Sequence, residues 1–190
     1  ENPLIWAEKA LTAQRNQHHA EAEKAFSKAM SLGLNNGRML YYLAIAQADQ
    51  GKDDLAETSF RKSIEQAPFN PYSLNYFGYW LIEKNRGFEE AKSYIQKAVD
   101  KQPENGAFVD SLGWVYFKMG DYQNALFYLE RAAMLIPDDP VITDHLGDVY
   151  WALERQTEAM HEWRRALIFA PDAELEKHIQ TKITRTLADE

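Results

Sequence analysis

The sequence predicts an all-α solenoid of helix-turn-helix repeats closed by a C-terminal capping helix, and three observations carry that prediction. The small residues Ala10, Ala44, Gly78, Gly113 and Gly147 are spaced 34, 34, 35 and 34 positions apart. A second set, Ala22, Ala56, Ala91, Ala125 and Ala159, runs at 34, 35, 34 and 34. The prolines Pro68, Pro103, Pro137 and Pro171 follow at 35, 34 and 34. All three sets agree once a single residue is inserted between Gly78 and Ala91. The run Asn85-Arg86-Gly87-Phe88 reads as the turn that holds it. A shared period of this length is the signature of stacked supersecondary units.

The period divides the chain, a single domain over 1–190, into repeats 3–36, 37–70, 71–105, 106–139 and 140–173. The first is degenerate and the third carries the insertion. Each holds two segments of roughly 12–14 residues with apolar positions at helical spacing. Gly113 and Ala125 let the paired helices approach, and Ala132 does the same against the next unit; a larger side chain there overpacks, costing about 1–3 kcal/mol. Asn2-Pro3, Asn70-Pro71 and Asp139-Pro140 each set an N-cap before a proline at the first helical position. In the capping helix, 173–188, Leu175, Ile179, Ile183 and Leu187 form one apolar stripe on a solvated surface. The opposite end differs. Leu4, Ile5, Trp6 and Leu11 surround much of the first helix, so further repeats or a second subunit are expected to cover it. The chain opens at Glu1 rather than a methionine, and removal of a preceding segment is expected.

Composition excludes several function classes. Hydrophobic residues at 45% and aromatics at 13% rule out a disordered chain. Twenty-one basic against 29 acidic residues give a net charge of −8, a poor basis for nucleic-acid binding. Arg164-Arg165 reads as a solvated helix face. With no cysteine, disulfides, thiolate nucleophiles and cysteine-bound zinc are excluded. No run approaches the ~18 apolar residues of a membrane span. His18-His19 and His161-Glu162 lack further ligands at metal spacing, and Asp138-Asp139 is a turn without the glycine of a calcium loop. Asp110 and Asp144 are brought onto neighbouring first helices by the period alone. Asp110, Ser111 and His145 have no nucleophile elbow or oxyanion motif beside them. No catalytic residue, metal or cofactor is expected, and the chain is read as a non-enzyme.

Residues 106–139, GAFVDSLGWVYFKMGDYQNALFYLERAAMLIPDD, resemble the tetratricopeptide pattern through Leu112-Gly113, Tyr116, Gly120, Tyr122, Ala125, Leu129, Ala132 and Pro137. Residues 140–173 do so through Leu146-Gly147, Tyr150, Ala159, Trp163, Ala166 and Pro171, and 37–70 through Leu43-Ala44, Gly51, Ala56, Phe60 and Pro68. Residues 71–105 match with the insertion. Residues 3–36 match only in part, with Lys9 where a leucine is usual. The resemblance implies a right-handed superhelix whose first helices line a concave groove. Carried onto this sequence, the groove positions are Tyr41 and Ile45; Asn75, Tyr79 and Ile82; Asp110, Trp114 and Phe117; then Asp144, Asp148 and Trp151.

That list describes an aromatic surface bordered by carboxylates. It is expected to anchor a protein or peptide partner that sets Lys or Arg beside apolar residues. Phe77, Tyr116 and Tyr150 fall on the packing face and are read as core. The carboxylate-clamping subclass of the family is set aside, because these positions hold none of its Lys and Asn side chains. The function implied is a protein-interaction scaffold. Two alternatives stay open: a self-assembly module that homo-oligomerises through the N-terminal end, and the non-catalytic targeting arm of a larger enzyme. Asp110–Trp114 and Asp139–Trp151 look like the last repeats of exported bacterial tetratricopeptide proteins. That likeness implies a periplasmic or outer-membrane-associated adaptor, with a cytoplasmic setting left open.

Overall fold

The computed structural model describes residues 1–169 and 172–188, with side chains through residue 186. The described residues form eleven helices and no strand: α1 (Pro3–Arg15), α2 (His19–Ser31), α3 (Gly37–Ala48), α4 (Asp53–Gln66), α5 (Pro71–Glu83), α6 (Phe88–Lys101), α7 (Gly106–Lys118), α8 (Tyr122–Leu135), α9 (Pro140–Ala152), α10 (Gln156–Ile168) and α11 (Ala173–Ala188). The first helices of successive pairs begin 34, 34, 35 and 34 residues apart. The chain forms two compact units, 1–77 and 78–190, divided within α5.

Helix starts follow the expected cap chemistry. The Asn2 carboxamide accepts from the Leu4 amide at 2.9 Å and Asn70 from Tyr72 at 3.1 Å. Asp139 accepts from Val141 and Ile142 at 2.9 and 3.0 Å. Asn36 and Asn105, which open α3 and α7 without a proline, cap in the same way.

The ends of the first helices repeat the period in backbone geometry. Gln17, Gly51, Asn85, Gly120 and Glu154 all have φ between 53° and 80°, at spacings of 34, 34, 35 and 34. In each case the next amide reaches back five residues, as His18 to Ala13, Lys52 to Gln47, Arg86 to Leu81, Asp121 to Tyr116 and Arg155 to Tyr150, at 2.8–3.0 Å. This is the Schellman closure, which satisfies carbonyls the helix leaves open. Only Gly51 and Gly120 adopt the left-handed conformation freely; Gln17 and Glu154 hold it against a steric cost of about 1–2 kcal/mol. The turn 84–87 has a second left-handed residue, Gly87 at φ 54°. That is where the inserted residue is absorbed, before α6 begins at Phe88.

In the first unit, Ala7, Ala10, Ala13, Ala22, Ala25 and Ala29 surround Phe26 and meet Met39, Leu43 and Ala46 of α3. Alanine at these places brings the helix axes close. Farther along, fully buried Phe60 stacks on Phe77 with centroids 5.2 Å apart and lies 5.6 Å from Tyr76. At the other end of this unit Leu4 and Ile5 are 63% and 65% exposed, leaving an apolar surface on α1.

In the second unit the core joins Ala125 and Leu129 to Leu146, Val149, Tyr150, Ala159, Trp163 and Ala166. Ile179 of α11 is buried in this core, with Leu175 and Ile183 packed beside it. The capping stripe is therefore seated as expected from 175 to 183. Leu187 and Pro171 lie outside the described side chains and residues. The first-helix glycines sit where no side chain fits. A Cβ at Gly113 would meet Leu129 Cγ at 2.6 Å, and one at Gly147 would meet Trp163 Cδ1 at 2.5 Å. Within each unit, helices pack mainly on their neighbours in sequence.

Candidate partner-binding surface

In the first unit the predicted positions form a phenol cluster. Tyr41 and Tyr42 lie 5.1 Å apart between ring centroids, and Tyr41 meets Tyr76 edge-on at 5.8 Å. Burial holds the Tyr41 hydroxyl well above the ordinary phenol range and raises that of Tyr76 to about 12, so both stay neutral donors. Ile45 and Tyr42 border a cleft of about 470 Å³ with Leu11, Glu8, Gln14 and Arg15. Asn75 Oδ1 is buried and finds no hydrogen-bond partner among the described residues.

The second unit departs from expectation in three ways. Ile82 is fully buried together with its neighbours Trp80 and Leu81. The last turn of α5 is covered on several sides, so Ile82 is core and offers no groove surface. Trp114 is 8% exposed. It is held between Phe117 and His145, with centroids 4.8 and 3.9 Å away, and its Nε1–H donates to Glu83 at 3.2 Å. It acts as a wall. Finally, the carboxylates are already engaged. Asp110 Oδ1 accepts from His145 Nδ1 at 2.9 Å, and Lys182 Nζ reaches both Asp144 oxygens at 2.8 Å and Asp148 Oδ1 at 2.7 Å. The expected acidic border is thus engaged from within, by partners on the same unit.

Lys182 belongs to the capping helix, whose residues outside the apolar stripe read from sequence as solvated. The available signal was its position: three residues after Ile179 and four before Thr186, both buried, it flanks the apolar stripe. Asp110 and His145 form a buried pair, but no triad. The Ser111 hydroxyl donates to the Ala107 carbonyl at 2.9 Å.

The buried ion network makes stability depend on pH. Burial depresses the His145 imidazole, but the Asp110, Asp144 and Asp148 carboxylates outweigh it and raise its pKa above the ordinary value. Burial and neighbouring Asp148 likewise raise Asp144, against the pull of Lys182. A raised imidazole pKa contributes stability that is complete below the unfolded value of about 6.5 and is lost as pH climbs through the folded one. Wild type is expected to exceed His145→Gln in thermal stability at pH 6, with that margin shrinking towards pH 9. Equal margins at both pH values would show that His145 stays neutral.

Phe117 and Trp151 remain accessible. Trp151 is 36% exposed and tilts over Trp163 at 5.7 Å. Phe117, Trp151 and Trp163 wall a cleft of about 550 Å³ whose far side is α11, through His178, Lys182 and Arg185. Among the described residues no three His, Cys, Asp or Glu side chains gather as a metal site, and no helix is long and apolar enough to cross a membrane.

Tetratricopeptide-repeat family models match residues 8–71 and 110–139. A TPR repeat-containing protein of Pseudomonas aeruginosa is 30% identical over 113 residues, which cover 58% of this chain and 19% of that protein. The chain thus spans about a fifth of that relative's length. The solved structure of pilF from Pseudomonas aeruginosa is 18% identical, with a TM-score of 0.80 covering 98% of this chain and 85% of that one. A thermophilic TPR protein of Thermus thermophilus is 20% identical, with a TM-score of 0.78 over 94% and 97%. At these identities the structures speak for the fold. Helix pairs at a fixed period, closed by a cap, define a helical-repeat solenoid, an architecture that serves in general as a protein-interaction scaffold. This chain is a tetratricopeptide-repeat protein.

Proposed function

We propose that the chain is a non-catalytic adaptor that holds a segment of a partner protein against its first helices. The observation that carries this reading is the cleft walled by Phe117, Trp151 and Trp163, in which Trp151 keeps 36% of its surface open. Aromatic side chains held rigidly and partly exposed in a concavity are the usual anchors of a peptide. Tyr79 in the second unit, and Tyr41, Ile45 and Asn75 in the first, are further candidate contact residues, each within its own unit. Ile82, Trp114, Asp110 and Asp144 are buried within the second unit and present no exposed side chain to a partner. An envelope setting, periplasmic or at the outer membrane, belongs to the proposal through sequence resemblance alone.

The test is photo-crosslinking in the native cell, with benzoylphenylalanine replacing Trp151, and in a control Phe127, which is 61% exposed on α8. One partner protein crosslinked from position 151 and absent from 127 is the expected result. Crosslinking from 127 alone, or from neither, overturns the groove. A second reading has its own observation: the exposed Leu4 and Ile5 at the N-terminal end suit self-association. Crosslinks from position 5 to a second copy of the chain would favour it.

A further inference from the structure

We infer that the cleft beside the capping helix takes an apolar side chain flanked by a carboxylate, so that the partner segment is acidic at this end. The inference rests on the groove reading and specifies its chemistry. The cleft measures about 550 Å³, within the rough range of 300–1,000 Å³ that accommodates a small ligand, and its aromatic walls suit one or two apolar side chains.

The charges around it decide the rest. Asp148 lines the cleft, but its oxygens are occupied by Lys182 at 2.7 Å and by the Trp163 indole N–H at 3.1 Å. Asp144 lies beneath, 4% exposed and held by the same Lys182. The one ammonium bridges both carboxylates, which occupies their oxygens and leaves the trio at a formal −1. Arg185, on the next turn of α11, also lines the cleft, is exposed, and has no ion-pair partner among the described residues. His178 stands one turn before Lys182 on the same wall. Counting buried Asp144, the two carboxylates balance the two cations in number, and Arg185 is the charged group of the cleft lining that is left without an ion-pair partner among the described residues. A guanidinium in that position pairs with a carboxylate through two parallel N–H···O bonds. A basic segment would instead face Arg185 and Lys182 and find only carboxylates that are already held. Complementarity thus points to the opposite partner charge from the one that the groove residues suggest in sequence.

The experiment is selection of a random heptapeptide display library on the purified full chain, followed by binding of the enriched synthetic peptides to variants. The expected peptides place a bulky apolar residue next to Asp or Glu. They should bind Arg185→Glu and Trp151→Ala at least about tenfold more weakly than wild type, a loss of about 1.4 kcal/mol. Replacing their acid by Lys should restore binding to Arg185→Glu. Enriched peptides that are basic beside the apolar residue, or that bind Arg185→Glu as well as wild type, overturn the inference. If such peptides are still lost with Trp151→Ala, the groove reading survives without it. A library that yields no enriched peptide counts against both.

Discussion

Lys182→Met is expected to destabilise the second unit by about 3 kcal/mol, read as a lowered urea midpoint and lost amide protection across α11. The Lys182 side chain is 15% exposed, and its partners Asp144 and Asp148 are 6% and 16% exposed. Removing the ammonium leaves two nearby carboxylates with little water, and methionine supplies volume without charge. Such a penalty comes chiefly from the stranded anions, not from the worth of the bridge. The triple variant Asp144→Asn/Asp148→Asn/Lys182→Met should therefore recover most of the loss. A drop below about 1 kcal/mol for Lys182→Met would instead identify an ordinary solvent-screened surface pair.

Phe60→Ala is expected to cost about 3–5 kcal/mol, the range for emptying a large aromatic from a closed core. Phe60 is fully buried, stacked on Phe77 and tilted against Tyr76, both on α5, so filling the space it leaves requires that helix to move. Hydrogen exchange should show α3 and α4 losing protection first while α8 to α10 keep theirs. Simultaneous loss in both regions would mean that the two units open as one cooperative body.

Much of this architecture is legible in the residues because the features that set it are local. The Asn-Pro and Asp-Pro pairs mark helix starts through a side chain and the amides two or three positions on. Gly113 and Gly147 mark close approach because any Cβ would strike Leu129 or Trp163. Even the insertion at 85–87 follows from spacing. The surface is less legible, since its character depends on pairings far apart in sequence. Asp110 reads as a free acid until His145, 35 residues later, is placed against it. Asp144 and Asp148 read as an open acidic rim until Lys182, 38 and 34 residues on, bridges them. Family-based groove positions also assume that the first helix keeps one open face, and Ile82 does not lie on it.

Because each helix packs mainly on the ones before and after it, few of the contacts within a unit require distant parts of the chain to meet. Loops closed early in folding are short, so little chain entropy is lost before packing begins to offset it. Either unit can then serve as a starting point, with order spreading pair by pair in both directions. A nascent chain of this kind can acquire structure as it emerges, before its last helix has been synthesised.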